Sequence, residues 1–368
     1  MTEEEEDMAA SSILKRIKNV QIAVLDYLDE EKDQDDDMII KQINDKLKAL
    51  KNDFEIKEIL HLLRSIIHNH HRNPHFYSRI ELLIISIKNE IKQTFSNSDL
   101  FNFFSENPRI ILFLIENNMI KIDEPILKTL SKPSNVNYFF PEIESFYVGH
   151  PMKFEGENQT NFFLYQEKRK MGENDDIVSQ MIREDSVEKF ISYTNQINMN
   201  LDSKIKESHF ETNSFLMNKE PTLIEYATFF GSIQIFQYLK LNNIKLTPSL
   251  WLYAIHSNNA DLIHILEENQ VTPKDKTYKT CLIEAIKCHH NEIANYLLSK
   301  LNPKEFHLLD YLKYDNYERI LSDFEYFPNK LKIKYVYDCM TNYSKIVDLL
   351  IRESYLNPNI KIILKSYN

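Results

Sequence analysis

From residue 11 to about residue 116, apolar side chains recur every three or four positions with polar ones between them. Ile13, Ile17, Val20, Val24 and Leu28 form one stripe, and Ile39, Ile43, Leu47 and Leu50 form a second. Ile56, Ile59, Leu60, Leu63 and Ile67 continue the pattern, as do Ile80, Leu83, Ile84, Ile87 and Ile91. A period near 3.6 places each set on one face of a helix, and sustained period-two alternation is hard to find here. Ser96 to Asp99 offers N-cap chemistry for a short helix through Phe103. The pattern predicts an acidic flexible tail over 1–10 and an N-terminal helical block over 11–120.

The rhythm breaks over 121–175, where Pro125, Pro133, Pro141 and Pro151 crowd together with three of the four glycines. This stretch reads as an irregular connector with one or two short helices, its aromatics (Tyr138, Phe139, Phe140, Phe146, Tyr147) docked on neighbours. Beyond it, Pro221, Pro248, Pro273, Pro303, Pro328 and Pro358 fall 27, 25, 30, 25 and 30 residues apart. Proline is expelled from helix interiors, so regular prolines mark the joints of a repeating helical unit over 176–368. The units align: Thr222-Leu223-Ile224-Glu225-Tyr226-Ala227 with Ser249-Leu250-Trp251-Leu252-Tyr253-Ala254 and with Thr280-Cys281-Leu282-Ile283-Glu284-Ala285. Each is followed by an apolar helix, Ile235-Phe236-Gln237-Tyr238-Leu239 in the first case. A helix closed so tightly ends in a left-handed residue, which Gly takes freely and Asn, Asp and His tolerate. At that position stand Gly231, Asn258 and His289, and in fainter units Asp185, Asn316 and Asn342.

At these residues the chain resembles ankyrin repeats. The aligned segments stand in for the T-P-L-H-x-A-A-x-x-G helix, and Lys345-Ile346-Val347-Asp348-Leu349-Leu350-Ile351 looks like the second helix of that repeat. Leu223, Leu250 and Cys281 stand where proline is expected, and an interval nearer 27 than 33 implies shortened or missing β-fingers. Glu211-Thr212-Asn213-Ser214-Phe215, Leu246-Thr247-Pro248-Ser249-Leu250-Trp251 and Glu284-Ala285-Ile286-Lys287-Cys288-His289-His290-Asn291 resemble the ankyrin-like domain-of-unknown-function proteins expanded in trichomonad protists. His70-His71-Arg72 and Leu112-Phe113-Leu114-Ile115-Glu116 share that likeness. It implies an all-α fold, a helical-hairpin solenoid of degenerate ankyrin-like repeats behind the N-terminal block, and protein binding without a reaction.

Composition narrows the function further. Four glycines (Gly149, Gly156, Gly172, Gly231) are about 1% of the chain, where about 7% is usual. Neither G-x-G-x-x-G nor G-K-[ST] can be written from them, which argues against a phosphate-cradling loop. The net charge is −11, and the densest basic run, Lys168-Arg169-Lys170, leads straight into Glu173, so nucleic acid is not expected as a partner. Three cysteines make no disulfide framework, and no apolar run is long enough for a bilayer. The expected location is the cytoplasm, with no membrane insertion and no small-molecule substrate.

Two groups of residues offer metal chemistry. Cys281, Cys288, His289 and His290 are soft or borderline donors, but the two cysteines sit at opposite ends of one helix, roughly 10 Å apart. They read as core cysteines and a helix-ending histidine pair. His68, His70, His71 and His75 are denser, and a metal-dependent hydrolase built on them is the alternative function; Pro74 interrupts any continuous helical face. They read first as a helix C-terminus, where imidazoles meet exposed carbonyls. No cofactor and no metal is therefore expected. The preferred reading is a non-catalytic scaffold or adaptor that binds a protein of unknown identity on its concave surface. Residues flanking the small alanine of each first helix would line that surface: Tyr226, Phe229, Phe230, Tyr253, His256, Glu284 and Lys287. Phe229 and Phe230 could equally fill the joint to the next unit.

Overall fold

The computed structural model describes residues 3–30, 36–48, 53–146, 159–301 and 308–326. Twenty helices and no strand occur among the described residues. In chain order they begin with α1 (Glu3–Asp29), α2 (Asp36–Lys48), α3 (Asp53–Asn69), α4 (Phe76–Ser86), α5 (Lys88–Thr94), α6 (Asn97–Phe104) and α7 (Pro108–Glu116). There follow α8 (Glu124–Leu130), α9 (Phe140–Phe146), α10 (Gln159–Met171), α11 (Ile177–Arg183), α12 (Val187–Gln196), α13 (Leu223–Phe229) and α14 (Ile233–Leu241). The last are α15 (Leu250–His256), α16 (Ala260–Glu268), α17 (Lys279–Lys287), α18 (Asn291–Lys300), α19 (Leu308–Lys313) and α20 (Tyr317–Tyr326). The fold is all-α, as the periodicity implies. The first acidic residues lie inside α1, and the stretch expected as an irregular connector holds three helices, α8 to α10. Pro303, Pro328, Pro358, Asn342 and the 345–351 helix lie outside the described residues.

The chain divides into two compact units, one formed by 1–94 with 275–368 and the other by 95–274. In the first, the apolar stripes of α1 and α3 are buried as their spacing requires: Ile17, Val20, Val24, Leu28, Ile59, Leu60, Leu63 and Ile67. α1 packs on α2, α3 and α4 and also on α20. Polar groups register that last contact. Gln21, fully buried, donates from Nε2 to the Asp315 carbonyl at 3.0 Å and accepts from the Glu318 N–H at 2.8 Å. Ser65 of α3 donates to the Tyr314 carbonyl at 2.9 Å, and the Tyr317 hydroxyl donates to Glu58 at 2.5 Å.

The second unit opens with α6 and α7. Ser96 caps α6 by accepting from the Asp99 N–H at 3.2 Å, the expected role, and the buried Asn107 caps α7 through the Ile110 N–H. The aromatics of the following stretch dock as expected in part: Tyr138 and Phe139 are buried, and the Tyr138 hydroxyl donates to the Arg169 carbonyl at 2.6 Å, whereas Phe146 is exposed. The remainder is a run of short helical hairpins, α11/α12, α13/α14 and α15/α16, in which α13 packs on both α11 and α15 and α12 packs on α14. Thr222 and Glu225 close a reciprocal capping box at the start of α13. The first unit adds the hairpins α17/α18 and α19/α20.

All five hairpins turn through a left-handed residue: Asp185, Gly231, Asn258, His289 and Asp315. Four match the positions picked out in the sequence; in the fifth, Asp315 takes the conformation and Asn316 follows it. In four of the five, the next N–H reaches five residues back, from Ser186 to Met181, Ser232 to Ala227, His290 to Ala285 and Asn316 to Tyr311. The second helices end the same way. Asn118, Asn198, Asn243 and Gln270 are left-handed, and Met119, Met199, Ile244 and Val271 donate to the carbonyls of Leu114, Thr194, Leu239 and Leu266 at 2.8–3.2 Å. This is the Schellman closure, which satisfies helix-end carbonyls that would otherwise be orphaned.

Candidate functional site

The strip singled out in the sequence is assembled around Ala227 and Ala254, both fully buried, as a small residue at a close helix approach requires. In the second unit its side chains face an occupant from the same chain. Between α12 and α13 runs a connection of 26 residues, closed at its base by an isolated bridge between Lys204 and Thr222. Asx and side-chain turns at Glu211 and Asn213 fold its middle, and Thr212 ties it to the Gly172 carbonyl at 2.7 Å. This delivers Phe215 onto the strip. Its ring stacks on Phe229 at 5.7 Å, meets Tyr253 edge-on at 5.0 Å and lies 4.1 Å from the ring of His256. Lys219 then covers the outer face of Phe215, its Nζ 3.5 Å from the ring centroid.

Tyr226, Phe229, Tyr253 and His256 are consequently buried, and only Phe230 keeps partial exposure. The Tyr226 hydroxyl, expected on the open concave surface, instead accepts from Arg183 Nη1 at 3.0 Å. Burial pushes the phenol well above its ordinary range, with Glu211 adding to the effect and Arg183 opposing it. Tyr253 is raised by burial and by Glu225. In the first unit, Glu284 and Lys287 form a largely buried ion pair at 2.9 Å on α17, with the Lys287 side chain 22% exposed. Burial alone would lower the Lys287 ammonium; the charge and hydrogen bond of Glu284 outweigh it and hold it above its usual value.

The histidines of the first unit are arranged in a way that neither sequence group discloses. His68 bonds within its own helix, through Nδ1 to the Arg64 carbonyl, and His75 is exposed at the start of α4. His70 and His71, by contrast, meet His290, which stands just before α18. Ring centroids lie 4.5 Å apart for His70 and His71, 5.1 Å for His70 and His290, and 5.2 Å for His71 and His290. His70 Nδ1 donates to the Cys288 carbonyl at 2.8 Å, which aims its Nε2 at Asp29 Oδ1, 2.6 Å away. Asp29 Oδ1 is also 3.4 Å from His71 Nε2, and His71 Nδ1 lies 3.2 Å from His290 Nε2. Burial, with His70 adding, lowers His71 to about 4, keeping its imidazole neutral near pH 7. Burial raises the Asp29 carboxyl, but the hydrogen bond from His70 and the charges of both histidines more than reverse this.

The cysteines stay apart from this group as metal donors. Cys281 is buried at the start of α17 and Cys288 at its C-cap, and burial raises both thiols, Cys281 to about 12. Sequence reasoning weighed the two histidine groups separately because nothing local relates residue 71 to residue 290. At Phe215 the sequence carries a signal in the 211–215 motif, but the destination of its side chain is not readable from the local pattern. No family model matches the chain, and no curated protein or solved structure compared with it matches either.

Proposed function

We propose that this chain is a non-catalytic interaction protein whose hairpins stack as a degenerate ankyrin-like solenoid and bind a protein partner. One observation carries the reading: five short hairpins repeat the same left-handed turn, at Asp185, Gly231, Asn258, His289 and Asp315. Repetition of one supersecondary unit builds an extended surface in which each unit contributes a few side chains, a geometry suited to another polypeptide. Because Phe215 fills the predicted strip in the second unit, the partner reads what covers it, with Asn218 and Lys219 exposed at the tip of the 204–222 connection. In the first unit the Glu284–Lys287 pair, which keeps a narrow exposed edge, offers polar selectivity.

The experiment is affinity purification of the full chain from its native cells, then binding of the recovered partner to Lys219→Glu and Lys287→Glu variants. Lys219 is exposed, so its change should leave the melting transition within a few degrees; Lys287 is 22% exposed beside Glu284, so its change should lower the transition while the circular dichroism spectrum stays helical. A saturable complex weakened at least tenfold by either change supports the reading. Full-strength binding by both variants, or no stoichiometric partner, would overturn it.

A further inference from the structure

We propose that His70, His71 and His290 bind a divalent transition metal of the zinc class, with the Asp29 carboxylate completing the ligand set. Each of the three imidazoles presents one nitrogen to a common point, and these atoms all lie within 4.8 Å of one another. Ligand nitrogens on a tetrahedral zinc ion at 2.0–2.1 Å stand about 3.3 Å apart, so shifts of under about 1 Å would seat the ion. The 3.2 Å separation of His71 and His290 already has that spacing.

His70 shows the orientation expected of a ligand. Its Nδ1–H is committed to a backbone carbonyl, which fixes the tautomer and leaves Nε2 for coordination, the usual outer-shell arrangement around metal-bound histidine. Nε2 faces a carboxylate oxygen at 2.6 Å, and two such acceptor atoms need a proton or a cation between them. The donor set of imidazoles and one carboxylate suits zinc and its neighbours and is poor for magnesium or calcium. Burial of His70 (1% exposed) and His290 (3%) makes this a structural centre. It fastens the end of α3 to the α17–α18 turn, across 219 residues of chain.

The test uses the full chain, stripped with a chelator and then titrated with Co²⁺ or Zn²⁺ alone. Expected are one tightly held equivalent, the intense visible absorption of four-coordinate cobalt without a thiolate charge-transfer band, and a melting temperature raised by Zn²⁺. His71 is partly exposed, so His71→Ala should keep the helical circular dichroism spectrum and lose all three signals. His290→Ala should behave alike, and Asp29→Ala should weaken affinity roughly 10–100-fold. His75→Ala, outside the group, should match the wild type. No tight binding by the folded wild-type chain, binding undiminished in His71→Ala, or a thiolate band would each overturn the proposal.

Discussion

A chain with four glycines still has to turn its helices. Among the described residues, eleven others carry a positive φ: seven Asn or Asp, and then Gln270, Lys276, Tyr278 and His289. Each forgoes the freedom of glycine at a cost of roughly 1–2 kcal/mol, offset at those that follow a helix by the helix-end bonds that the turn completes. Asn and Asp reduce that cost because short polar side chains can bond locally, which is why these positions were legible from residue type alone. Asp315 adds a second tension. Burial pushes its carboxyl from 3.8 up to about 8, with Glu58 adding and Arg64 opposing. Between those values the folded chain retains a proton that the unfolded chain releases, so this residue makes stability fall as pH rises from about 4 through about 8. Asp315→Asn keeps a residue that tolerates the turn and cannot ionise. Its melting temperature should match the wild type below about pH 4 and exceed it by a growing margin toward about pH 8. A constant offset across that range would show that the carboxyl carries no such proton.

At the scale of the element, sequence periodicity was informative because each helix buries one narrow face. The register read from Ala227, Ala254 and Ala285 holds, all three being fully buried. α13 packs on α14 and on α15, and α15 on α16, so a longer side chain at that position must push into close-packed neighbours. Ala254→Leu should overpack the joint and cost roughly 1–3 kcal/mol, read as a lower denaturant midpoint with an unchanged slope. An unaltered midpoint would mean that the joint yields freely. What periodicity could not supply was the fate of the face opposite. Tyr226, Phe229, Tyr253 and His256 have the spacing of a surface strip, yet an aromatic strip is equally well satisfied by Phe215 from the chain's own connection. The 204–222 segment has no helical period; its middle is folded by hydrogen bonds to the side chains of Glu211 and Asn213 and from that of Thr212. Those were beyond the reach of pattern, although the residue types are ones that make such turns.

For the whole molecule, the feature furthest from the sequence is that one compact unit is drawn from both ends of the chain, 1–94 and 275–368. Hydrophobic periods describe each helix separately and carry nothing about which distant helices meet. The partners are set instead by particular buried groups: Gln21 with Asp315 and Glu318, Ser65 with Tyr314, and His70 with Cys288. A chain ending at Lys274 would deprive these groups of their partners and expose the face of α1 that packs on α20, with loss of the burial energy gained there. The packing of α13 on α11, α14 and α15, and of α15 on α16, lies within 95–274 and would be kept. Hydrogen exchange on that truncated chain should therefore show α1 and α3 opening at least tenfold more readily than in the full chain, while α13 and α15 keep their protection. Equal loss throughout would mean that the two units fold as one cooperative body. Unchanged protection of α1 and α3 would mean that 1–94 is stable alone, and that its buried polar contacts to the later helices register the assembly without holding it up.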